Sequence, residues 1–266
     1  MDMRAKATTI AISGKGGTGK TMLSSLLVRY FSRYGSVFAI DADPDSNLPE
    51  ALGVKIKKDV GAVREDILDI RADKVSPSMT KKDLFEMELL QIIEEGKAFD
   101  LLVMGRSEGA GCYCTINHIL REVIDTKSKN YDTVIIDCEA GLEHLSRRTT
   151  RGADIMIVVT DATKKGILTA RRVKELSLEV GIDFDRIVVI ANKVTPETRP
   201  IIEELGRENG LDIIGYVPFD PLISQYDAIG RSLLELPEEA PSVSSAYEIF
   251  GRIRQEAEEK YRKRGG

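Results

Sequence analysis

The chain has 266 residues and a formal net charge of −5, from 38 Lys and Arg against 43 Asp and Glu. With 30% charged and 42% hydrophobic residues it has the make-up of a folded globular domain, not of a disordered chain. The acidic balance lacks the electrostatic footprint of a nucleic-acid binder, and no apolar run reaches the roughly 18 residues needed to cross a membrane.

The segment Met1 to Ser13 carries two basic residues and only a short apolar stretch, Ile10 to Ile12, too short for an export signal. A cytoplasmic location with reduced thiols is therefore expected. Thr8 to Ser13 reads as a strand, Gly14 to Gly19 as a loop and Lys20 to Tyr34 as a helix. Further strands are expected at Val37 to Asp41, Asp100 to Met104, Thr133 to Asp137, Ile155 to Thr160, Ile187 to Ala191 and Ile213 to Val217. They are apolar on nearly every residue, as strands covered on both faces must be. Helical patterns lie between them at Ile116 to Lys127, Gly166 to Val180 and Pro196 to Asn209. The charged stretch Val54 to Glu95 is less regular, with helices expected near Arg64 to Ile70 and Lys81 to Glu94. From Ala246 the tail is helical, and Tyr247, Phe250 and Ile253 form a stripe that docks on the sheet. Glu256, Glu258 and Glu259 disfavour a stable membrane association for that helix. The alternation predicts an α/β fold: one domain over 1–266, with a mostly parallel twisted sheet of about 7–8 strands flanked by helices.

Gly14-Lys15-Gly16-Gly17-Thr18-Gly19-Lys20-Thr21 fits the phosphate-loop pattern G-x-x-x-x-G-K-[ST], between a predicted strand and a predicted helix. Glycines let backbone N–H groups approach phosphate oxygens, and the helix adds its positive end. The expected nucleotide contacts run from Gly14 through Gly16, Gly17, Thr18, Gly19, Lys20 and Thr21 to Met22. Lys20 can reach the β- and γ-phosphates of ATP, or the β-phosphate of ADP, and the Thr21 hydroxyl can ligate Mg²⁺. Lys15 is a second lysine inside the loop, either extra charge for its own phosphates or a cation that crosses to a second subunit. Val134-Ile135-Ile136-Asp137 is an apolar strand ending in an acid, and Asp137 is expected to hold the Mg²⁺ shell. Strand Val37 to Ile40 runs into Asp41-Ala42-Asp43-Pro44-Asp45, whose carboxylates can bind Mg²⁺ through water, orient the attacking water, or serve as turn and cap residues.

The run Lys-Gly-Gly-x-Gly-Lys-Thr resembles the deviant Walker A motif of the MinD, ParA and nitrogenase iron protein class of ATPases. The resemblance implies ATP hydrolysis and a face-to-face homodimer in which Lys15 contacts the partner's nucleotide. It implies that Asp43 positions the attacking water and joins the Mg²⁺ shell. Cys138-Glu139-Ala140-Gly141 resembles the second switch, whose glycine amide senses the γ-phosphate; Cys138 itself reads as a small buried residue. Asn192-Lys193 and Pro218-Phe219-Asp220 resemble the adenine-contacting segments, although Asn192 also suits a turn closing its strand.

Gly111-Cys112-Tyr113-Cys114 separates this chain from a generic ATPase. Two thiols at i and i+2 can chelate one metal, whereas a disulfide between them would be strained. They supply half of a four-coordinate shell, so a symmetric dimer would complete it for Ni²⁺ or Zn²⁺. His118 reads as a helix-face residue or a further ligand. With the Walker motifs, the Cys-x-Cys pair is similar to the CooC family of nickel-insertion accessory ATPases. That resemblance implies a nickel-enzyme client, carbon monoxide dehydrogenase or acetyl-CoA synthase, and no nucleic-acid partner. A positioning or partition ATPase and an iron–sulfur cluster carrier are the alternatives from the broader class.

Overall fold

The computed structural model describes residues 7–69, 80–106, 122–139, 153–179 and 184–264. Eight strands form one sheet: β1 (Thr8–Gly14), β2 (Val37–Asp41), β3 (Glu94–Glu95), β4 (Phe99–Val103), β5 (Thr133–Asp137), β6 (Ile155–Asp161), β7 (Arg186–Val194) and β8 (Ile213–Pro218). Their spatial order is β3-β4-β2-β5-β1-β6-β7-β8. Every pairing is parallel except that of β3 with β4.

Both faces of the sheet are covered, which is why the seven parallel strands are apolar on most of their residues. In β2, Phe38 and Ile40 enter one core while Val37 and Ala39 enter the other. The second core is built with α1 (Lys20–Phe31), whose Leu23, Leu26 and Leu27 are fully enclosed. It also takes in Leu48 and Leu52 of α2 (Leu48–Leu52). The first core takes in α3 (Val60–Asp69) and α4 (Lys81–Gln91) beside β4, and α5 (Lys164–Glu179) and α6 (Arg199–Glu208) beyond β6. Phe38 stacks on Tyr131 with ring centroids 5.0 Å apart.

The differences from expectation are local and have identifiable causes. Helix α1 stops at Phe31, where the Ser32 hydroxyl and N–H both return to the Val28 carbonyl. The helix expected to reach Glu94 stops at Gln91, and Glu94 and Glu95 add a short antiparallel edge to β4. Helix α6 starts at Arg199 because Thr195 and Thr198 close a turn on each other first. Of the helix expected at Ile116 to Lys127, the described part is helical over 122–128. Helices α2 and α7 (Pro221–Ala228) have no counterpart in the sequence reading.

The tail helix, α8 (Pro241–Arg264), begins earlier than its apolar stripe, with proline in its first turn where the missing N–H costs nothing. Val243, Ala246, Ile249, Phe250 and Ile253 are buried, and Phe250 meets the Tyr30 ring of α1 at 5.8 Å. The tail thus docks on the body of the protein, as its spacing predicts. Among the described residues no helix is long and apolar enough to cross a membrane. Phe250→Ala should cost about 3–5 kcal/mol, the usual penalty for emptying an enclosed aromatic site. The urea midpoint of the ligand-free protein measures it; an unchanged midpoint would mean that α8 does not hold α1 in place.

Candidate functional site

The central strand β1 ends in the glycine loop, where Gly14, Gly17 and Gly19 all have positive φ and two of them also have no room for a side chain. Gly14 has φ 149°, and a Cβ on it would lie 2.2 Å from the Val159 carbonyl oxygen of β6. Gly19 has φ 92°, and a Cβ would lie 2.3 Å from Asn192 Nδ2. At Gly16 and Gly17 a Cβ would meet nothing within 4 Å, so these two face open space. The Thr18 N–H and hydroxyl both donate to the Lys15 carbonyl, at 3.3 and 2.8 Å, which curls the loop.

The loop is tied from behind by the end of β7. Asn192 Nδ2 donates to the Thr18 carbonyl at 2.8 Å, and Lys193 Nζ donates to the Gly17 carbonyl at 2.8 Å. Lys193 adopts a left-handed φ of 58°, a conformation that costs a non-glycine residue about 1–2 kcal/mol. Across a planar peptide the N–H points opposite to the C=O. Pulling the Thr18 carbonyl toward β7 therefore turns the Gly19 N–H the other way, to the cleft that Gly19 lines.

That cleft holds about 430 Å³, within the range of small-molecule sites. One wall is the loop and the start of α1, with Gly16, Gly17, Lys20, Thr21 and Met22; Lys20 and Met22 are buried against it. The other wall carries Asp43, Asp45 and Asn47 after β2, Glu50 of α2, and Ile223, Asp227 and Arg231 from α7 and the turn beyond. This second wall from α7 was not visible in the sequence, because no motif marks it. Arg231 is itself held by Glu235 at 2.7 Å and lies over the Tyr226 ring.

Two enclosed carboxylates stand next to the loop. Strands β2 and β5 are neighbours, and their register pairs Asp41 with Asp137. Both are buried, at 0% and 1% exposure. Asp41 accepts the N–H groups of Asp43 (3.1 Å) and Leu48 (3.0 Å), so it shapes the turn that follows β2. Burial, followed by the charge of Asp137, pushes its pKa up to about 7. Burial also raises Asp137, to about 6, against lowering by the Thr21 and Ser24 hydroxyls and by Lys20. Those hydroxyls are close, yet neither meets hydrogen-bond geometry: both Asp137 oxygens lack a hydrogen-bond partner among the described residues. A hard divalent cation fits this place, where an unpartnered carboxylate and a hydroxyl lie beside a phosphate loop. No group of three or more His, Cys, Asp or Glu among the described residues would cage a metal alone, so Mg²⁺ there would complete its shell with phosphate and water.

Asp43 is half-buried at the cleft; its carboxylate accepts the Asp45 N–H at 3.0 Å. Lys15 Nζ lies 4.0 Å from Asp161 Oδ2 at the end of β6. Asn192 is buried to 1%, with Nδ2 on Thr18 and Oδ1 accepting the Lys193 N–H. Its amide therefore serves the loop in this structure, and one Nδ2 hydrogen and one Oδ1 lone pair are left for a base edge. Pro218 ends β8, and the Phe219 side chain is 56% exposed. Asp220 caps α7 through the Leu222 N–H and accepts both the N–H and hydroxyl of Ser242. Cys138 is fully buried, as expected. Glu139 is exposed, and its carbonyl accepts the Ser13 hydroxyl. Cys112, Cys114, His118 and Gly141 lie outside the described residues.

A parallel sheet whose central strand opens into a glycine loop and helix, flanked by strands ending in acids, defines a P-loop ATPase. The chain belongs to the CobQ/CobB/MinD/ParA nucleotide binding domain family, which it matches over residues 9–233. It is 48% identical to an uncharacterised ATP-binding protein of Methanocaldococcus jannaschii, over 92% of this chain and 97% of that one. It is 32% identical to the carbon monoxide dehydrogenase accessory protein CooC of Rhodospirillum rubrum, over 85% of this chain and 89% of that one. Among solved structures, the MinC:MinD cell division complex of Aquifex aeolicus superposes with a TM-score of 0.69 at 22% identity, covering 94% of this chain and 96% of that one. MinD of Pyrococcus horikoshii with Mg-ADP gives 0.66 at 20% identity, covering 94% and 97%.

Two outcomes follow from this geometry. Asn192→Ala leaves the Thr18 carbonyl without its buried donor, a loss of about 1–3 kcal/mol. Nucleotide binding, measured calorimetrically, should weaken about tenfold or more. Asp41 ionises at about 7 in the native chain and near the ordinary 3.8 when unfolded, so the native state holds the extra proton between those values. Stability of the ligand-free protein should therefore fall as pH rises from about 4 to about 7. Asp41→Asn should flatten that slope, read from thermal midpoints across the pH range, whatever it does to absolute stability.

Proposed function

We propose that the protein is an ATP-hydrolysing metallochaperone that dimerises on nucleotide and delivers Ni²⁺ to a nickel enzyme, carbon monoxide dehydrogenase or acetyl-CoA synthase. The observation that carries this reading is the 32% identity with CooC across most of both chains, in a sequence that also has the Cys112-Tyr113-Cys114 pair. MinD-type relatives support the ATPase class without that metal role.

The loop amides and Lys20 bind the β- and γ-phosphates. Thr21, Asp43 and Asp137 hold the Mg²⁺ shell, and Mg²⁺ neutralises phosphate charge when bound. Asp43 orients a water in line with the γ-phosphorus. The water oxygen bonds to phosphorus as the bond to the ADP oxygen breaks, and the water's proton leaves with the phosphate or solvent. Lys15 crosses to the nucleotide of a second copy and offsets charge that builds up on the phosphoryl oxygens. In the single chain Lys15 rests near Asp161, a pair of partly exposed groups 4.0 Å apart that is worth less than about 1 kcal/mol. So weak a tie does not oppose the crossing. Phe219 and the second Nδ2 hydrogen of Asn192, with Lys193 and Pro218 framing them, form the adenine end.

The thiolates of Cys112 and Cys114 from two copies supply four sulfurs to one cation, with protons released as the metal binds. The same nucleotide-driven dimer would serve both Lys15 and the thiols. Metal titration with mass measurement, in the presence and absence of nucleotide, tests this. The expected result is one Ni²⁺ per dimer, lost in Cys112→Ser/Cys114→Ser. If that double variant binds Ni²⁺ as tightly as wild type, the metal reading fails. Lys15→Ala should lose both hydrolysis and nucleotide-driven dimerisation while keeping its thermal midpoint; wild-type turnover in that variant rules out the crossing lysine. ATP-stimulated sedimentation with lipid vesicles or DNA, without metal binding, would favour the positioning class instead.

A further inference from the structure

Ser24 lies one turn beyond Thr21 on α1, so their side chains share a face of the helix. Serines inside helices commonly return the hydroxyl to a carbonyl three or four residues back. Ser25 does so with Met22 at 2.8 Å, and Ser32 with Val28 at 2.6 Å. Ser24 does not. It is 0% exposed, among the enclosed Leu23, Leu26 and Leu27, and its Oγ has no hydrogen-bond partner among the described residues. A buried, unsatisfied hydroxyl is destabilising, and alanine would remove that cost. The chain keeps a hydroxyl that the ligand-free structure does not use.

The group this hydroxyl faces is Asp137. Both Asp137 oxygens are likewise enclosed and without a hydrogen-bond partner among the described residues. An unused donor and an unused acceptor thus stand side by side beneath the phosphate loop. Carboxylates that bind metal are generally held by a hydrogen bond on the oxygen turned away from the ion, and loss of such a partner lowers metal affinity 10–100-fold.

We infer that Ser24 is a positioning residue for the metal–nucleotide complex: its hydroxyl donates to one Asp137 oxygen while the other turns to the hydrated Mg²⁺ that arrives with the nucleotide. The inference rests on the proposed place of Asp137 in the Mg²⁺ shell. Thr21 belongs to the phosphate motif and touches the ion; Ser24 acts only through Asp137 and holds its carboxylate in one rotamer. No proton is transferred in this role.

The test uses the full chain and N-methylanthraniloyl-ADP, titrated at graded free Mg²⁺ and in EDTA. Wild type should bind the nucleotide more tightly as Mg²⁺ rises. Ser24→Ala should need about tenfold more free Mg²⁺ for the same tightening. Its affinity in EDTA should be unchanged and its thermal midpoint equal or higher. Ser25→Ala, which removes a hydroxyl already bonded to Met22, should keep the wild-type Mg²⁺ dependence. If alanine unfolds α1, Ser24→Cys carries the same comparison, since it keeps the volume and weakens the donor. Wild-type Mg²⁺ dependence in a folded Ser24 variant overturns the inference, as does an equal loss of affinity with and without Mg²⁺. If wild type itself shows no Mg²⁺ dependence, the proposed role of Asp137 fails and takes this one with it.

Discussion

Two carboxylates buried side by side, Asp41 and Asp137, set the conditions for everything around them. Taking two like charges out of water is costly, and their pKa values rise accordingly. The fold supports the pair unequally. Asp41 receives two backbone N–H groups and becomes part of the turn after β2. Asp137 receives no hydrogen bond among the described residues and keeps only the nearby charge of Lys20 and two hydroxyls out of hydrogen-bond geometry. That asymmetry divides the labour: one acid builds the wall of the cleft, and the other remains available to a cation. The arrangement depends on strand register, since a slip of one residue in β5 would turn Asp137 to the opposite face of the sheet.

The phosphate loop is constrained from two sides. At Gly14 the close approach of the Val159 carbonyl leaves no room for a side chain. At Gly17 and Thr18 the constraint comes from β7, through Lys193 and Asn192. The left-handed backbone of Lys193 places consecutive side chains on consecutive loop carbonyls, and two charge-assisted or buried hydrogen bonds offset its conformational cost. The loop is therefore held by segments distant in sequence, and its shape is a property of the sheet as much as of its own glycines.

The sheet was legible because strands covered on both faces must be largely apolar, and the seven parallel strands are apolar on most of their residues. The phosphate loop and the acids at strand ends were legible because phosphate chemistry restricts the residue types. What escaped has physical causes. Glu94 and Glu95 form an edge strand whose partner, β4, decides their state against their helical surroundings. Helix α2 is short and closes a loop set by Asp41, a contact between residues seven apart that no periodicity reports. Asn192 reads as an adenine contact, with a turn residue as the alternative, and only the position of Thr18 shows where its amide goes in this structure. The Asp220 carboxylate also fastens α7 to α8 through Leu222 and Ser242, a long-range contact that its motif does not report. Ser24 was invisible for the opposite reason: its meaning lies in a bond it does not make.

The exit of β4 is tied to the turn after β2 through the backbone. Strand β4 lies against β2, and as it ends, the Met104 N–H donates to the Asp41 carbonyl at 2.9 Å. The Met104 carbonyl in turn accepts the Gly61 N–H of α3 at 3.1 Å, and Gly105 turns with φ 64°. Arg106 then meets Asp45 at 3.4 Å, but both side chains are about two-thirds exposed, so this pair is worth less than about 1 kcal/mol. The ion pair is too weak to transmit a change by itself. The Met104–Asp41 bond is different, because it anchors the exit of β4 to the residue that shapes the Asp43 turn. The turn after β2 and the exit of β4 thus share Asp41, the first through its carboxylate and the second through its carbonyl.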